Sequence, residues 1–545
     1  MKQYYAFLIA FLLGFSSCLP AQEKRNLDYA SLIRAEYPDN EPGACVLIAK
    51  NGKPLFREAF GMASLELGVV MRPDMVFEIG SMTKQFTAVA ILMLLEEGKL
   101  SLTDEITRFL PDYPTHGHSI TLHHLLTHTS GIRSYTGMQE WQPLWRKDLN
   151  PEELIDIFKD QPMDFAPGEK YLYNNSAYVI LGYVIEKASG MSYADFLENR
   201  IFKPLKMENS CYGSHSRLIN KRAAGYSLEG EGFRNAEYLS MTHPYAAGAI
   251  LSNVDDLLKW QNALKNNILL REETLRKAFT GYTLSNGNPI HYGYGWMVNE
   301  IKGSPTLEHG GGIFGYTTNG IWLPDEDVYV VMLTNRDDQS PSDISTRLAA
   351  LAIGKPYEGK STGMKVPLQV LEKYTGNYEF EDGALRAITI ESGNLFSQRQ
   401  GSTRLQLVPE SESRFAFGDS FTSIEFLPDE KGGFQAVFHN RIEKTKGHKT
   451  DKQIRERESI VLSPEEMKPF EGEYEVTPNF SLKFFLEDGQ LMTQATGQPK
   501  FPVYPESSNR FFLKVVDAQL EFIRSDEGNV NEVVLYQGGA LIKAK

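Results

Sequence analysis

The chain has 545 residues, of which 41% are hydrophobic and 11% aromatic, enough apolar material for roughly two to four domain cores. Its formal charge of -14 comes from 56 basic and 70 acidic residues spread along the sequence, without the Lys/Arg-rich stripe that a phosphate backbone requires. These features exclude a single small module and argue against nucleic acid as a partner.

The N-terminus has the layout of a secretory signal peptide, which we assign to residues 1–21. Lys2 precedes an apolar run at 4–15, and small and polar residues follow up to Ala21. Cleavage after Ala21 predicts an exported, periplasmic protein, whereas lipid modification of Cys18 would leave the protein anchored to a membrane. No later apolar segment is long enough for a transmembrane helix.

Residues 22–354 have the pattern of an α/β (α+β) hydrolase domain. The domain begins with a predicted β-hairpin around the turn Asn51-Gly52. A helix that is apolar on nearly all sides starts near Ser81 and ends near Gly98, which predicts a position in the middle of the domain. The predicted elements are strands at 45–49, 55–60, 320–322 and 328–333, and helices at 151–159, 176–188 and 255–264.

Beyond a predicted linker at 355–366, short alternating runs separated by Gly, Asp and Asn indicate all-β structure. The pattern Tyr374-x-Gly376-x-Tyr378 recurs 96 residues later as Phe470-x-Gly472-x-Tyr474. This tandem duplication predicts two barrel-like β modules, module 1 at 367–458 and module 2 at 463–545, and their opening pattern resembles a lipocalin-like module. We expect the modules to support the hydrolase domain, cap its cleft or form a homodimer rather than hold a ligand.

Ser81 and Lys84 are three positions apart at the start of the apolar helix, so their side chains share one helix face. A serine hydroxyl is a poor nucleophile until a base takes its proton, and a lysine whose pKa is lowered by burial can serve. The helix N-terminus also favours negative charge that develops at Ser81. Alone, however, a Ser-x-x-Lys pattern occurs by chance in many chains and is better explained as a helix cap.

Two further motifs follow in order along the chain. Tyr173-x-Asn175 supplies a tyrosine that can act as phenolate or proton relay and an amide that can orient a substrate. His309 precedes the run Gly310-Gly311-Gly312, where the backbone can approach a substrate closely and donate an N–H group.

With these three motifs, the sequence over roughly 39–354 resembles the penicillin-recognising serine hydrolases. This superfamily includes class C β-lactamases, DD-peptidases, D-aminopeptidases and family VIII esterases. The resemblance extends to the segments 122–131, 247–252 and 292–296. It implies acylation of a serine nucleophile followed by hydrolysis of the acyl-enzyme by water, without a cofactor or a metal.

The resemblance also implies a role for each motif residue. Ser81 is the nucleophile, and Lys84 and Tyr173 share general acid and base duty. Asn175 and the segment from His309 through Gly310 and Gly311 to Gly312 are expected to bind the substrate. The backbone N–H groups of Ser81 and Gly312 would form the oxyanion hole.

The third motif departs from the Lys-Thr/Ser-Gly of β-lactamases, because His309-Gly310-Gly311 offers a substrate carboxylate no hydroxyl and at most a titratable cation. We therefore expect a small-molecule or peptide substrate hydrolysed at an ester or amide bond, as in esterases and D-aminopeptidases. Three alternatives remain open: a β-lactamase or DD-peptidase, a penicillin-binding sensor that does not turn over, and a scaffold with a vestigial hydrolase domain.

Five histidines crowd into residues 116–128, and His124 and His128 have the i, i+4 spacing of a metal pair. No His-Glu-x-x-His pattern accompanies them, so we interpret these histidines as structural. In the neighbouring loop, Trp141 and Trp145 are candidates for the wall of the cleft, because such loops set the shape of a pocket.

Overall fold

The computed structural model describes residues 21–544 except 231, 358–363, 419, 431, 455–458, 478–479, 496–499, 516–517, 526–528 and 538–539. The predicted signal peptide, apart from Ala21, therefore lies outside the described residues, together with Cys18. Half of the predicted linker also lies outside them.

A six-stranded antiparallel sheet, named here the central sheet, forms the middle of the hydrolase domain. In spatial order its strands are Met297–Ile301, Ser304–Ile313, Tyr316–Leu323, Val328–Thr334, Ala44–Lys50 and Lys53–Phe60. Neighbouring residues of one strand face opposite sides: Val46 joins a core with Tyr29 and Leu348 of two flanking helices, whereas Leu47 joins a larger core. Because side chains alternate along a strand, the central sheet is buried on both faces.

The predicted hairpin is confirmed, since the strands Ala44–Lys50 and Lys53–Phe60 pair around Asn51 and Gly52. The φ angles of these two residues are 52° and 73°. Two-residue hairpin loops favour positive φ, which Asn and Gly tolerate better than other residues.

The predicted apolar helix is present as the α-helix Thr83–Glu96, named here the central helix, and Thr83 to Leu94 are all buried. It starts two residues later than the sequence suggested. Ser81 lies in the 3-10 turn Gly80–Met82 that leads into the helix, because Gly80, with a φ of 52°, turns the chain sharply at this point.

The other three predicted helices are also present, although the first ends earlier than expected, at Asp156. Besides the central helix, the α-helices of the described hydrolase domain are Ala21–Glu36, Leu122–Leu126, Pro151–Asp156, Asn175–Ser189, Tyr193–Leu197, Tyr245–Gly248, Val254–Lys265, Glu272–Ala278 and Ser342–Ala352. Short 3-10 helices lie at Ile106–Arg108, Tyr135–Gly137 and Gln139–Leu144, and a short π-helix lies at Glu198–Phe202. Short strands pair outside the central sheet at Met62–Ser64, Val69–Val70, Phe77–Glu78, Cys211–Tyr212, Tyr226–Glu229, Gly232–Asn235, Ile250–Ser252, Tyr282–Thr283 and Pro289–Ile290. No described helix is long and apolar enough to cross a lipid bilayer.

Module 1 is a closed eight-stranded antiparallel barrel that follows the helix Leu368–Tyr374. Its strands are Gly376–Phe380, Leu385–Glu391, Asn394–Arg399, Arg404–Pro409, Arg414–Phe417, Thr422–Pro428, Phe434–Asn440 and Glu443–Thr450. Aromatic side chains such as Tyr378, Phe415 and Phe426 fill its core.

Module 2 repeats the order of module 1 after the helix Pro464–Met467 and the turn Lys468–Phe470. Its eight strands are Gly472–Thr477, Phe480–Glu487, Gln490–Ala495, Lys500–Pro505, Arg510–Leu513, Ala518–Arg524, Val530–Gln537 and Ala540–Ala544, and the first lies against the last. The predicted architecture of a hydrolase domain followed by two all-β, barrel-shaped units is thereby confirmed. The lipocalin-like interpretation of these units stays a prediction.

Candidate active site

A cavity of about 220 Å³ opens beside the N-terminal end of the central helix. It is lined by Gly80, Ser81, Tyr135, Thr136, Trp141, Asn175, Leu239, Pro244, Ala247, Gly248, Gly312, Ile313 and Phe314. No Asp, Glu, Lys, Arg or His is among these lining residues. The cavity therefore presents apolar and neutral polar groups to whatever enters it.

Lys84 is fully buried, and its amine lies between three oxygen atoms. Its Nζ atom is 3.1 Å from Ser81 Oγ, 2.8 Å from Asn175 Oδ1 and 2.9 Å from the carbonyl oxygen of Ala247. Burial holds the pKa of Lys84 well below its ordinary value, because the charged form loses its hydration. The amide and carbonyl oxygens can only accept hydrogen bonds, so a neutral amine donates to both and turns its lone pair towards the Ser81 hydroxyl.

The ring of Tyr173 lies against the same amine, with its centroid 4.8 Å from Lys84 Nζ. Its hydroxyl is buried and has no hydrogen-bond partner within the described part of the chain. Burial raises the pKa of Tyr173 far above its ordinary value, because the phenolate would lose its hydration. Of the two forms expected for Tyr173, this environment therefore favours the protonated phenol over the phenolate.

Asn175 is the first residue of the helix Asn175–Ser189, whose N-cap is Asn174. Its Oδ1 accepts the Lys84 hydrogen bond, and its Nδ2 donates to Thr136 Oγ1 at 3.1 Å. The amide is thus held from both ends and faces the cavity, so the structure gives Asn175 a contact with Lys84 that the sequence did not predict.

The motif from His309 to Gly312 lies on the strand Ser304–Ile313, named here the Gly-rich strand. His309 is buried and does not line the cavity; its Nε2 is 3.0 Å from the Tyr292 hydroxyl, and its Nδ1 is 2.6 Å from the Gly310 carbonyl oxygen. Burial, followed by the nearby Lys84 amine, lowers the pKa of His309 to about 3. The side chain is therefore neutral near pH 7, and the cation that the motif could have offered to a substrate carboxylate is absent.

The glycines of the motif have different surroundings. A Cβ atom on Gly310 would lie 3.3 Å from the carbonyl oxygen of Thr318 on the neighbouring strand. A Cβ atom on Gly311 would lie 2.0 Å from the carbonyl oxygen of Ile79, whereas one on Gly312 would meet no atom within 4 Å. A Cβ atom on Gly80 would lie 2.9 Å from the Gly312 nitrogen. Gly311 therefore allows the strand to approach the turn that carries Ser81, and this approach brings Ser81 and Gly312 to the same cavity.

The sequence did not single out several residues that the structure brings to the site. The carbonyl oxygen of Ala247 is one of them; the segment containing it was noted only as part of a family resemblance. Tyr135, whose hydroxyl donates to the His243 carbonyl oxygen at 2.5 Å, and Phe314 are further wall residues without a sequence signal. Trp141 lines the cavity as expected, whereas Trp145 packs behind it against Phe314, with ring centroids 4.7 Å apart.

His124 and His128 have separate structural partners. His128 is buried, and its Nδ1 accepts a hydrogen bond from the Asn174 backbone N–H at 3.0 Å. His124 Nδ1 accepts one from the Thr121 backbone N–H at 3.2 Å. Among the described residues, no group of three or more His, Cys, Asp or Glu side chains is arranged to hold a metal ion. Each ring thus stabilises its local backbone.

The sequence matches a family described as Beta-lactamase over residues 32–355 and one described as Domain of unknown function (DUF3471) over residues 456–542. It is 29% identical over 411 residues to Penicillin-binding protein 4* of Bacillus subtilis (strain 168), covering 70% of this chain and 89% of the relative. It is 28% identical over 358 residues to a D-aminopeptidase of Gluconobacter oxydans (strain 621H), covering 64% of this chain and 66% of that protein.

Solved structures share the fold. The octameric penicillin-binding protein homologue from Pyrococcus abyssi superposes with a TM-score of 0.54 at 27% identity, covering 78% of this chain and 100% of that one. A D-stereospecific amidohydrolase from Streptomyces sp. superposes with a TM-score of 0.51 at 28% identity, covering 59% of this chain and 97% of that one.

Proposed function

Because the chain belongs to the Beta-lactamase family of serine hydrolases, we propose that it hydrolyses neutral ester or amide substrates through an acyl-enzyme on Ser81. The observation that carries this proposal is the 3.1 Å separation between Lys84 Nζ and Ser81 Oγ, with the amine buried and its other hydrogen bonds directed at acceptors. This geometry suits removal of the Ser81 proton as its oxygen attacks a substrate carbonyl.

In the proposed acylation step, Ser81 Oγ bonds to the carbonyl carbon, and its proton passes to Lys84. The carbonyl oxygen becomes an oxyanion, to which the backbone N–H groups of Ser81 and Gly312 donate. When the intermediate collapses, the bond to the leaving group breaks, and Tyr173 relays a proton from Lys84 to the departing oxygen or nitrogen. Water then attacks the carbonyl carbon of the ester on Ser81 while Lys84 accepts its proton. The bond between that carbon and Ser81 Oγ breaks, Lys84 returns the proton to Ser81 Oγ, and the acid is released.

The walls of the cavity support a substrate with a neutral, apolar acyl group. Tyr135, Trp141, Leu239 and Phe314 contribute large apolar surfaces. A substrate carboxylate or ammonium group that entered the cavity would lose its hydration and find no oppositely charged lining residue. Burial of an unpaired charge costs binding free energy. Ester or amide hydrolysis of the esterase or D-amidase kind fits these walls better than recognition of a β-lactam carboxylate, provided that a D-amino acid's ammonium group stays at the cavity mouth.

The test is a substrate panel of nitrophenyl esters of increasing acyl length, D-aminoacyl amides and nitrocefin. It is run on the parent protein, on Ser81→Ala and on the control Ser216→Ala, which changes an exposed serine. We expect the highest kcat/KM with neutral acyl groups, near-complete loss in Ser81→Ala and no change in Ser216→Ala. If Ser81→Ala hydrolysed the best substrate as fast as the parent, the proposal would be overturned.

A penicillin-binding sensor is the second candidate, favoured by the similarity to Penicillin-binding protein 4*. Intact-protein mass spectrometry after incubation with a penicillin separates the two. A stable adduct that Ser81→Ala lacks, without turnover of any ester or amide, would indicate a sensor. Adduct formation followed by release of the hydrolysed product would indicate an enzyme.

We also propose that the protein is exported to the periplasm, on the basis of the signal-like residues 1–21. Cell fractionation with N-terminal sequencing tests this: an N-terminus after Ala21 supports soluble export, whereas a lipid on Cys18 supports the anchored form. A homodimer through the β modules remains a further proposal, which light scattering of the full chain tests against a monomer.

A further inference from the structure

A β-hairpin of module 1 carries a strained arginine at its tip. The strands Phe434–Asn440 and Glu443–Thr450 are joined by a two-residue loop, Arg441-Ile442. Arg441 has a φ of 55°, a conformation that bulky residues rarely adopt and that costs free energy unless other contacts enforce it. In module 2, the two residues between the paired Gln537 and Ala540 of the corresponding strands are Gly538-Gly539. The strained arginine is thus particular to the module that follows the hydrolase domain.

The guanidinium group of Arg441 reaches two strands of the central sheet. Its Nε donates to the Glu300 carbonyl oxygen at 2.9 Å, on the edge strand Met297–Ile301. Its Nη1 and Nη2 lie 3.0 Å and 2.8 Å from the two carboxylate oxygens of Glu308, on the Gly-rich strand. The Arg441 and Glu308 side chains are only 12% and 8% exposed, so this is a bidentate, largely desolvated ion pair.

Glu308 directly precedes His309 on the Gly-rich strand. Gly312, which lines the cavity, lies four residues after Glu308 on the same strand. The outer neighbour of the Gly-rich strand is the edge strand itself, which pairs with it over residues 304–308. One arginine therefore bridges these two strands next to the segment that leads to Gly312. Loss of the arginine would leave the buried Glu308 carboxylate without its positively charged partner, with the Thr306 hydroxyl still donating to it at 2.9 Å. A buried charge without a counter-charge favours movement of the strand or entry of water.

We propose that Arg441 is a positioning residue: through Glu308, module 1 holds the Gly-rich strand where the Gly312 N–H group meets the developing oxyanion. The inference rests on the proposed function for the role of Gly312. It gives module 1 a part in catalysis although none of the module's described residues lines the cavity.

Other contacts keep module 1 and its preceding segment on the hydrolase domain when Arg441 is changed. Lys355 Nζ donates to Ser304 Oγ at 2.7 Å, and the Arg347 guanidinium lies 5.2 Å from the centroid of the Phe421 ring. Removal of the ion pair alone therefore tests positioning rather than attachment.

The test uses the full chain with Arg441→Gly, because glycine suits a φ of 55° and removes the side chain, with its guanidinium group, without straining the backbone. The matched control is Lys444→Ala, an exposed residue of the same hairpin. Hydrogen exchange of the peptide covering 304–313 is measured together with kcat and KM, and active sites are counted by Ser81 labelling. We expect faster exchange of this peptide, a fall in kcat of roughly ten- to a hundredfold and little change in KM in Arg441→Gly only. Arg441→Lys should recover part of kcat.

The double variant Arg441→Gly with Glu308→Gln sharpens the result. If the two residues act as a pair, the double variant loses no more kcat than Arg441→Gly alone. Additive losses, an effect on KM alone, or unchanged exchange and kcat in Arg441→Gly would each overturn the inference. If the parent lacked Ser81-dependent hydrolysis, the proposed function would fail, and the exchange measurement would still decide whether Arg441 holds the strand.

Discussion

The amine of Lys84 donates a 2.8 Å hydrogen bond to Oδ1 of Asn175, which joins the first and second motifs of the site. The Asn175 side-chain amide is held in this orientation, because its Nδ2 donates to Thr136 Oγ1 and a rotation that exchanged Oδ1 and Nδ2 would break both hydrogen bonds. The contact therefore fixes the orientation of the buried amine relative to Ser81. A substitution at Asn175 should accordingly change the pKa of Lys84 and, with it, the pH dependence of hydrolysis.

The pH dependence of hydrolysis should show a base whose pKa lies well below that of an ordinary lysine. Burial lowers the pKa of Lys84 well below 10.5, so protonation removes the base only when the pH falls through this lowered value. We expect kcat/KM for a neutral ester to reach its plateau well below pH 10.5 and to fall on the acid side of that plateau. The profile is measured after subtraction of the Ser81→Ala background. A tenfold rise per pH unit from 7 towards 10 would contradict a neutral Lys84.

Asn175→Asp should move the acid limb of this pH profile to higher pH. A carboxylate in place of the amide stabilises the Lys84 ammonium, which raises the lysine pKa by about 1–3 units. Activity near pH 7 should therefore fall and should recover at higher pH, whereas the exposed control Asn267→Asp leaves the profile unchanged. A loss of activity that no increase in pH restores would indicate that Asn175 acts on the substrate alone.

Gly311→Ala should destabilise the hydrolase domain, and Gly312→Ala should not. The added methyl group at Gly311 would lie 2.0 Å from the Ile79 carbonyl oxygen, whereas the one at Gly312 enters open space. We expect Gly311→Ala to cost about 1–3 kcal/mol or more of unfolding free energy. All five tryptophans lie in the hydrolase domain, so urea unfolding followed by tryptophan fluorescence reports this domain. Equal stability of the two variants would contradict the close approach at Gly311.

His309 should make the hydrolase domain less stable in acid. Its pKa is about 3 when folded and near 6.5 when unfolded, so between these values the unfolded chain binds a proton that the folded chain does not. Stability therefore falls as the pH drops below 6.5, by roughly 2 kcal/mol between pH 6.5 and 5. His309→Gln should lose less stability over this interval than the parent, again by tryptophan fluorescence. The surface variant His118→Gln is the control, and identical pH dependence of His309→Gln and parent would contradict a buried neutral imidazole.

The sequence alone determined those features that depend on neighbours along the chain. Helical spacing placed Lys84 on the face of Ser81, Asn51-Gly52 predicted the hairpin, and the repeat of Gly376 at Gly472 predicted two β modules, because each needs only local geometry or self-comparison. The order of the three motifs was also sufficient to recognise the family.

The tertiary structure decided what depends on surroundings contributed from distant parts of the chain. The lowered pKa values of Lys84 and His309 result from burial by many elements, and desolvation cannot be read from a residue's sequence neighbours. The Asn175 contact with Lys84 and the Arg441 contact with Glu308 join residues far apart in sequence. Motif spacing thus predicted which residues carry the chemistry, whereas packing determines their partners and the direction in which their pKa values shift.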